Sequence, residues 1–425
     1  MIDRDRMLFR FSLYGFLKNL RLFEPFILLF FREAELSFFQ IGLLFSIRDV
    51  ATNVLEVPTG VYADGFGRRR SMVMAFVAYI ASFLLFFLIP GFAVYALAMI
   101  LFACGEAFRT GTHKALILEH LNLHGMQHLK VEYYGRTRAA SQLGSALNSL
   151  LAAALVFYTG NYRYVFLASI LPYVIDLVNL ATYPSELDGE LVRLRQGAIG
   201  AQLRATLTTF ASIFRDPLAM RALMNSSGFD SFFKATKEYL QPILKALAIS
   251  LPVLLLVEET KRSAVIIGAV YFAIYMLTSY ASRSAASFGR RFKHASQGIN
   301  LTSVAGAVCL FAAGLATRWK LDVLAILFFL ALYLLQNVRR PMTVAFISDQ
   351  ISNRVMAAGL SAESQLTTIL MAILSPILGA LADRFGVGAG LTLMGGLMVA
   401  SSLLFQVRER QAEAPATIRS IEGQH

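Results

Sequence analysis

The chain has 425 residues, of which 56% are hydrophobic and 16% charged, and its mean hydropathy is +0.59. That balance excludes a soluble enzyme of two or three ordinary domains. A net charge of +12 with a pI near 9.8 would suit a nucleic-acid binder, but the basic residues form no stripe, and Cys104 and Cys309 each sit inside an apolar stretch, which leaves no disulfide framework or thiolate metal site.

Taken in chain order, apolar stretches long enough to cross a bilayer as helices predict twelve transmembrane spans, over 9–31, 38–60, 71–89, 91–113, 137–158, 162–182, 222–248, 263–284, 296–316, 321–338, 355–382 and 385–406. The first run contains Lys18, Arg21 and Glu24 and lacks a small-residue cleavage site, so it reads as a span rather than a signal peptide. Most of the basic residues, among them Arg4, Arg6, Arg68 to Arg70, Arg193, Arg195, Arg290, Arg291, Lys293, Arg339 and Arg340, fall in connections on the side of the N-terminus. The positive-inside rule makes that side cytoplasmic, and the net charge becomes a topology signal rather than a nucleic-acid signal. The expected organisation is a six-helix lobe over 1–182, a cytoplasmic linker over 183–221, a second six-helix lobe over 222–406 and a disordered tail over 407–425, with both termini in the cytoplasm of a bacterial inner (plasma) membrane. Within the linker, 201–215 reads as an amphipathic interfacial helix, and Asp216-Pro217 as the N-cap and first-turn proline of span 7.

The two halves share features at a nearly constant offset. Pro25 matches Pro242 at 217, Phe66-Gly67-Arg68-Arg69 matches Phe288-Gly289-Arg290-Arg291 at 222, and Ser141-Gln142-Leu143 matches Ser364-Gln365-Leu366 at 223. Arg109 and Glu119 stand opposite Arg339 and Asp349, all at 230. Together these predict two parallel six-helix repeats with a binding site near the bilayer midplane between them.

Between spans 2 and 3, Gly60-Val61-Tyr62-Ala63-Asp64-Gly65-Phe66-Gly67-Arg68-Arg69-Arg70 resembles the loop signature G-x-x-x-D-R-x-G-R-R of the major facilitator superfamily. Gly65 replaces its usual arginine, and the second-half copy lacks the aspartate, Ala286 taking its place. A separate run, Gly379-Ala380-Leu381-Ala382-Asp383-Arg384-Phe385-Gly386, follows span 11. The resemblance covers the whole chain in span count, repeat and central loop. It implies an all-α membrane fold of twelve helices in two pseudo-symmetric lobes, secondary transport by alternating access, and a cytoplasmic latch in which Gly60, Asp64, Gly67, Arg68 and Arg69 stabilise the outward-open state. Arg109 also resembles the arginine that many members carry in span 4. The glycine- and proline-rich span 5 signature of the family's drug–proton antiporters is missing, since Ser141 to Phe157 holds one glycine and no proline.

Ionisable residues at bilayer depth are costly and normally face a cavity or a partner, so they mark the candidate site. On span 7, Asp230, Lys234, Lys237 and Gln241 recur at i, i+4, i+7 and i+11, one narrow helical stripe. Span 1 carries Tyr14, Lys18, Arg21 and Glu24, and Glu24-Pro25 aligns with Gln241-Pro242; span 2 adds Arg48 and Glu56, span 4 Glu106 and Arg109, and span 6 Asp176. Buried salt bridges would explain individual pairs. The matched stripes point further, to Lys18, Arg21, Arg48, Arg109, Asp230, Lys234, Lys237 and Gln241 as substrate-binding groups and to Glu24, Glu56 and Asp176 as proton carriers.

His113, His120, His124 and His128 lie between spans 4 and 5 and would share one face of a continuous helix. A solvated cytoplasmic helix is the expectation, with His120, His124 and His128 as the only metal-ligand candidates. No nucleotide motif, cofactor site or enzymatic signature accompanies them. The sequence thus points to a monomeric, proton-coupled secondary transporter of a charged or zwitterionic small organic solute, with protons, lipids and the solute as its partners. An exporter using the same cavity is the nearest alternative, and a sensor or lipid flippase on the same scaffold the alternative of another class.

Overall fold

A computed structural model describes residues 5–189, 191, 200, 204, 217–252, 256–350 and 356–409. The expected interfacial helix over 201–215 falls almost wholly outside the described residues, as do the cap Asp216 and the tail beyond Glu409. Among the described residues every regular element is helical, and ten helices are long and apolar enough to cross a membrane. The protein is an integral, multi-pass membrane protein.

The helices are α1 (Arg6–Lys18), α2 (Ile27–Glu33), α3 (Phe38–Phe66), α4 (Arg68–Leu88), α5 (Phe92–Arg109), α6 (Thr112–Leu123), α7 (Lys130–Thr159) and α8 (Tyr164–Ala181). After the linker come α9 (Pro217–Thr236), α10 (Leu240–Ser250), α11 (Glu259–Gly289), α12 (Ala295–Arg318), α13 (Asp322–Gln350), α14 (Met356–Phe385) and α15 (Val387–Leu404). Their starts follow local chemistry. Asp5 caps α1 by accepting from the Met7 amide at 2.7 Å, and Ser37 and Gln40 form a reciprocal capping box at the start of α3. Gly67, at φ +103°, gives the backbone the turn that separates α3 from α4.

Two expected spans are broken. Span 1 consists of α1, an irregular turn, a one-turn 3-10 helix over Glu24–Phe26, and α2; span 7 consists of α9, a 3-10 turn over Lys237–Tyr239, and α10. Another departure concerns span 10, expected to end at 338: α13 continues to Gln350, which carries Arg339 and Arg340 into the bundle instead of leaving them in a cytoplasmic connection.

The packing repeats in the two halves. α1 on α7, α3 on α5, α4 on α5 and α4 on α8 have their counterparts in α9 on α14, α11 on α13, α12 on α13 and α12 on α15. The halves meet through α3 against α14 and α7 against α11. At the first crossing the backbones nearly touch: a Cβ at Gly379 would lie 2.2 Å from the Phe38 carbonyl oxygen, and one at Gly42 2.4 Å from that of Ser375. Only glycine permits such an approach, as at other small-residue contacts between membrane helices.

Candidate functional site: a charged cavity at two broken helices

A broken helix in a membrane exposes backbone groups that lipid cannot satisfy, so they must be bonded within the protein. In span 1 they are. The Tyr173 hydroxyl donates to the Lys18 carbonyl at 3.0 Å, Asn148 Nδ2 to the Arg21 carbonyl at 3.0 Å, and the Leu22 amide donates to Ser169 Oγ at 3.1 Å. From the other half, Gln241 accepts from the Leu28 amide at 2.9 Å and donates to the Glu24 carbonyl at 3.0 Å. Gln241 is fully buried, so it holds the break rather than facing the cavity. Five separate bonds make the discontinuity a built feature.

Beside the breaks lies a cavity of about 940 Å³. At its inner end it is lined by Tyr14, Lys18, Asn19, Glu24 and Arg109 from the first half and by Phe233, Lys237, Glu238, Tyr271, Tyr275 and Tyr333 from the second. Its mouth is lined by Gly111, Lys114, Lys130 and Arg138, at the end of the bundle where Asp5 meets His120 and Tyr133. The opposite end is closed by the glycine crossing, by Asp383, which accepts from the Phe38 and Phe39 amides at 2.8 Å each, and by the Phe38 ring stacked on Tyr239 at 5.6 Å.

Two ionic clusters flank this space. In the first half, the Glu106 carboxylate is shared between Arg21 and Arg109 and accepts from the Tyr79 hydroxyl at 2.7 Å, while Arg109 Nε donates to that hydroxyl at 3.1 Å. Arg21 also donates to Tyr173 at 2.9 Å and lies 3.4 Å from Glu24, whose side chain is 43% exposed. In the second half, Arg340 Nη1 donates to Asp230 at 2.9 Å and to the buried Glu363 at 2.5 Å; Gln336 adds a bond to Asp230, and Ser226 one to Glu363. Arg339, 1% exposed, is held by Asn225 and stacks over Phe229.

The expected site residues therefore divide. Lys18, Glu24, Arg109 and Lys237 line the cavity, Lys237 pairing with Glu238 at 3.2 Å. Arg21 sits just behind Glu24 in the Glu106 cluster, and Asp230 belongs to the Arg340 cluster. The 3-10 turn ends the ideal stripe of span 7 after Lys234, which is exposed and makes no ion pair among the described residues. Arg48 pairs with its neighbour Asp49 at 2.9 Å, Glu56 is exposed on α3, and Asp176 is fully buried against Asn179, away from the cavity lining. In the loop, Arg68 pairs with Glu119 at 3.1 Å, and Asp188 caps α4 by accepting from the Arg69 amide at 2.7 Å. Gly67 packs directly on Asp188; Gly60 has open space where a Cβ would stand, and Asp64 is exposed with no hydrogen bond or ion pair among the described residues.

Sequence reasoning missed Glu238, Glu363 and the tyrosines of α11 and α13. Glu238 stands opposite Arg21 at the same offset of 217 that matches the two prolines, and Tyr271 and Tyr275 have helical i, i+4 spacing, so both signals were present. The histidines do not form the expected solvated face. α6 stops at Leu123, His113 is buried with its ring stacked on Tyr14 at 3.7 Å, and buried His120 points to Asp5 at 3.3 Å. His124 turns back on the His120 carbonyl, His128 falls in a separate 3-10 turn, and no metal-binding group of three ligands occurs among the described residues.

The chain matches the sequence profile of the Major Facilitator Superfamily over residues 11–364. A curated relative, the uncharacterized MFS-type transporter YxaM of Bacillus subtilis (strain 168), is 32% identical over 91 residues, which span 21% of this chain and 23% of the relative. Among solved structures, a point mutant of the nucleoside transporter NupG superposes with a TM-score of 0.74 at 13% identity, over 94% of this chain and 99% of that one. The peptide transporter POT in complex with sulfate gives 0.73 at 14% identity, over 94% and 93%. At such identities the likeness is one of fold.

Proposed function

We propose, from the premise that this chain belongs to the major facilitator superfamily and is a secondary transporter rather than an enzyme, that it moves a charged or zwitterionic small organic solute by alternating access. The observation that carries this reading is the pair of broken helices, whose interruptions at Glu24-Pro25 and Lys237–Tyr239 bracket a charged cavity between the halves. Discontinuous helices at mid-membrane are where transporters of this kind bind solute and coupling ions. A cavity of about 940 Å³ is the size of a small-molecule site.

Glu24 is the principal proton carrier in this proposal. It is the cavity carboxylate least committed to a partner, at 3.4 Å from an arginine that Glu106 already holds. Protonating Glu24 frees Arg21 to lean fully on Glu106, and deprotonating it pulls Arg21 back, so proton occupancy shifts the first-half cluster relative to the cavity. Glu56 and Asp176 are the remaining proposed carriers. The orientation is both termini cytoplasmic in a bacterial plasma membrane, and the working unit is a monomer.

The test is solute uptake by proteoliposomes with an imposed pH gradient. Glu24→Gln should abolish the acceleration by the gradient while leaving solute exchange at equal pH. If wild-type uptake ignores the gradient, the proton-coupled reading fails; if no charged solute is exchanged at all, the transport reading of this cavity fails.

A further inference from the structure

The charge of the cargo can be read from which cavity groups already have partners. Six cations line the cavity, Lys18, Arg109, Lys114, Lys130, Arg138 and Lys237, against two carboxylates, Glu24 and Glu238. At the inner end Arg109 is held by Glu106 and Lys237 by Glu238, and Glu24 leans on Arg21. Lys18 alone among the inner cations makes no ion pair or hydrogen bond through its side chain with any described residue. Glu106 and Glu24 act on it only from a distance, and an ammonium at membrane depth with no direct carboxylate contact is costly unless a ligand supplies one.

Its position excludes two ordinary explanations. Lys18 is the last residue of α1, where the helix dipole favours a cation, but that interaction is worth about 0.3–1 kcal/mol and does not require the ammonium to line a cavity. Nor is it a topology charge, since the same residue borders the helix break beside Asn19 rather than the membrane surface. The mouth repeats the sign: Lys114, Lys130 and Arg138 line it, with no carboxylate among the lining residues there. Such an entrance concentrates anions and repels cations. Tyr271, Tyr275 and Tyr333 of the second half line the same cavity and give it an aromatic wall.

We propose that the cargo is an organic anion with a net negative charge on a flat body, and that the Lys18 ammonium receives its carboxylate or phosphate while the tyrosines of α11 and α13 hold the body. This rests on the transporter reading of the same cavity and narrows it from charged or zwitterionic to anionic.

A matched series on one ring tests it: 3-(4-hydroxyphenyl)propionate and phenyl phosphate as anions, tyrosine as zwitterion and tyramine as cation, each measured by thermal stabilisation of the purified full chain and by exchange in proteoliposomes. The anions should raise the melting midpoint and exchange, tyrosine should do so at least tenfold more weakly, and tyramine not at all. Lys18→Gln should weaken the anions at least tenfold with the ligand-free midpoint kept, and Lys18→Arg should restore them. Lys114→Gln should slow anion entry and reduce its salt dependence without changing the stabilisation. Tyrosine binding as tightly as the anions, or anion binding unchanged in Lys18→Gln, overturns the anionic assignment and leaves the transporter reading standing. Tyramine alone binding overturns the anionic assignment and reverses the sign of the cargo; absence of exchange for the whole series overturns the anionic assignment together with the charged-cargo reading.

Discussion

Glu106 and Asp5 show what single carboxylates do here. Glu106 has two guanidiniums and a tyrosine hydroxyl on it, so its removal leaves Arg21 and Arg109 without compensation inside the bundle. Glu106→Gln is expected to destabilise the protein by about 3–5 kcal/mol, the usual cost of breaking a buried pair from one side, read as a fall in the melting midpoint in detergent. Asp5 lies outside the membrane spans. Burial pushes its pKa up, but the Tyr133 hydroxyl, the Met7 amide and His120 outweigh this and hold it below the ordinary 3.8. A depressed carboxylate stabilises the fold at every pH above its unfolded value and loses that contribution only as pH falls through the folded one. The Asp5 contact is therefore intact throughout the neutral range and released only below pH 3.8. Asp5→Asn keeps a capping oxygen for the Met7 amide but loses the charge-assisted bonds with Tyr133 and His120, so it should cost about 1 kcal/mol, and the difference from wild type should vanish in strongly acidic buffer. Lys18 was legible in the sequence as an intramembrane charge, but that it is the inner cavity cation without a direct partner among the described residues was not, because the groups that pair its neighbours come largely from other helices.

At the scale of the element, the decisive features are the breaks in spans 1 and 7. Hydropathy reads each span as one continuous run, and only Pro25 and Pro242 hinted at an interruption. Whether a proline kinks, ends or merely starts a turn depends on what satisfies the freed backbone, and here that is supplied by Asn148, Ser169, Tyr173 and Gln241. Gln241→Leu strips partners from the Glu24 carbonyl and the Leu28 amide, and should cost about 1–3 kcal/mol per group left unpaired; amide hydrogen exchange at Leu28 should speed up. The α3–α14 crossing makes a second prediction. Gly379→Leu cannot keep the backbones at their present separation, so the end opposite the cavity mouth should open. In a background lacking Cys104 and Cys309, thiol labelling of Tyr239→Cys should rise several-fold with Gly379→Leu; unchanged labelling would mean the crossing does not close that end.

For the whole molecule, the two loop aspartates report the conformation. Asp383 is engaged across the halves at the closed end, while Asp64, near the end of α3, is exposed beside the open one. Alternating access requires these states to exchange, since a rocking of one half on the other breaks the first contact as it brings the second end together. Asp383→Asn weakens a charge-assisted contact and should move the population toward a form open at the Asp383 end. Spin labels at Leu36 and Arg384 should then report longer distances, and labels at Arg138 and Ser282 shorter ones; an unchanged pair of distributions would remove Asp383 from the gate.

The sequence by itself determined the membrane location, the helical class, the doubling of the halves and the family, because these rest on composition and on spacings along one chain: apolar runs of bilayer length, matched prolines and loop motifs at near-constant offset. It also supplied the candidate charges, since an ionisable residue in an apolar run is conspicuous wherever it points. Only the tertiary structure decided how those charges are used. The pairing of Arg340 with both Asp230 and Glu363, the diversion of Gln241 to backbone and the burial of His113 and His120 are each fixed by groups more than 20 residues away in the chain. A hydrogen bond needs its partners at about 3 Å and the attraction of two charges grows as they approach, so distance in space, which the order of residues does not carry, selects the partner.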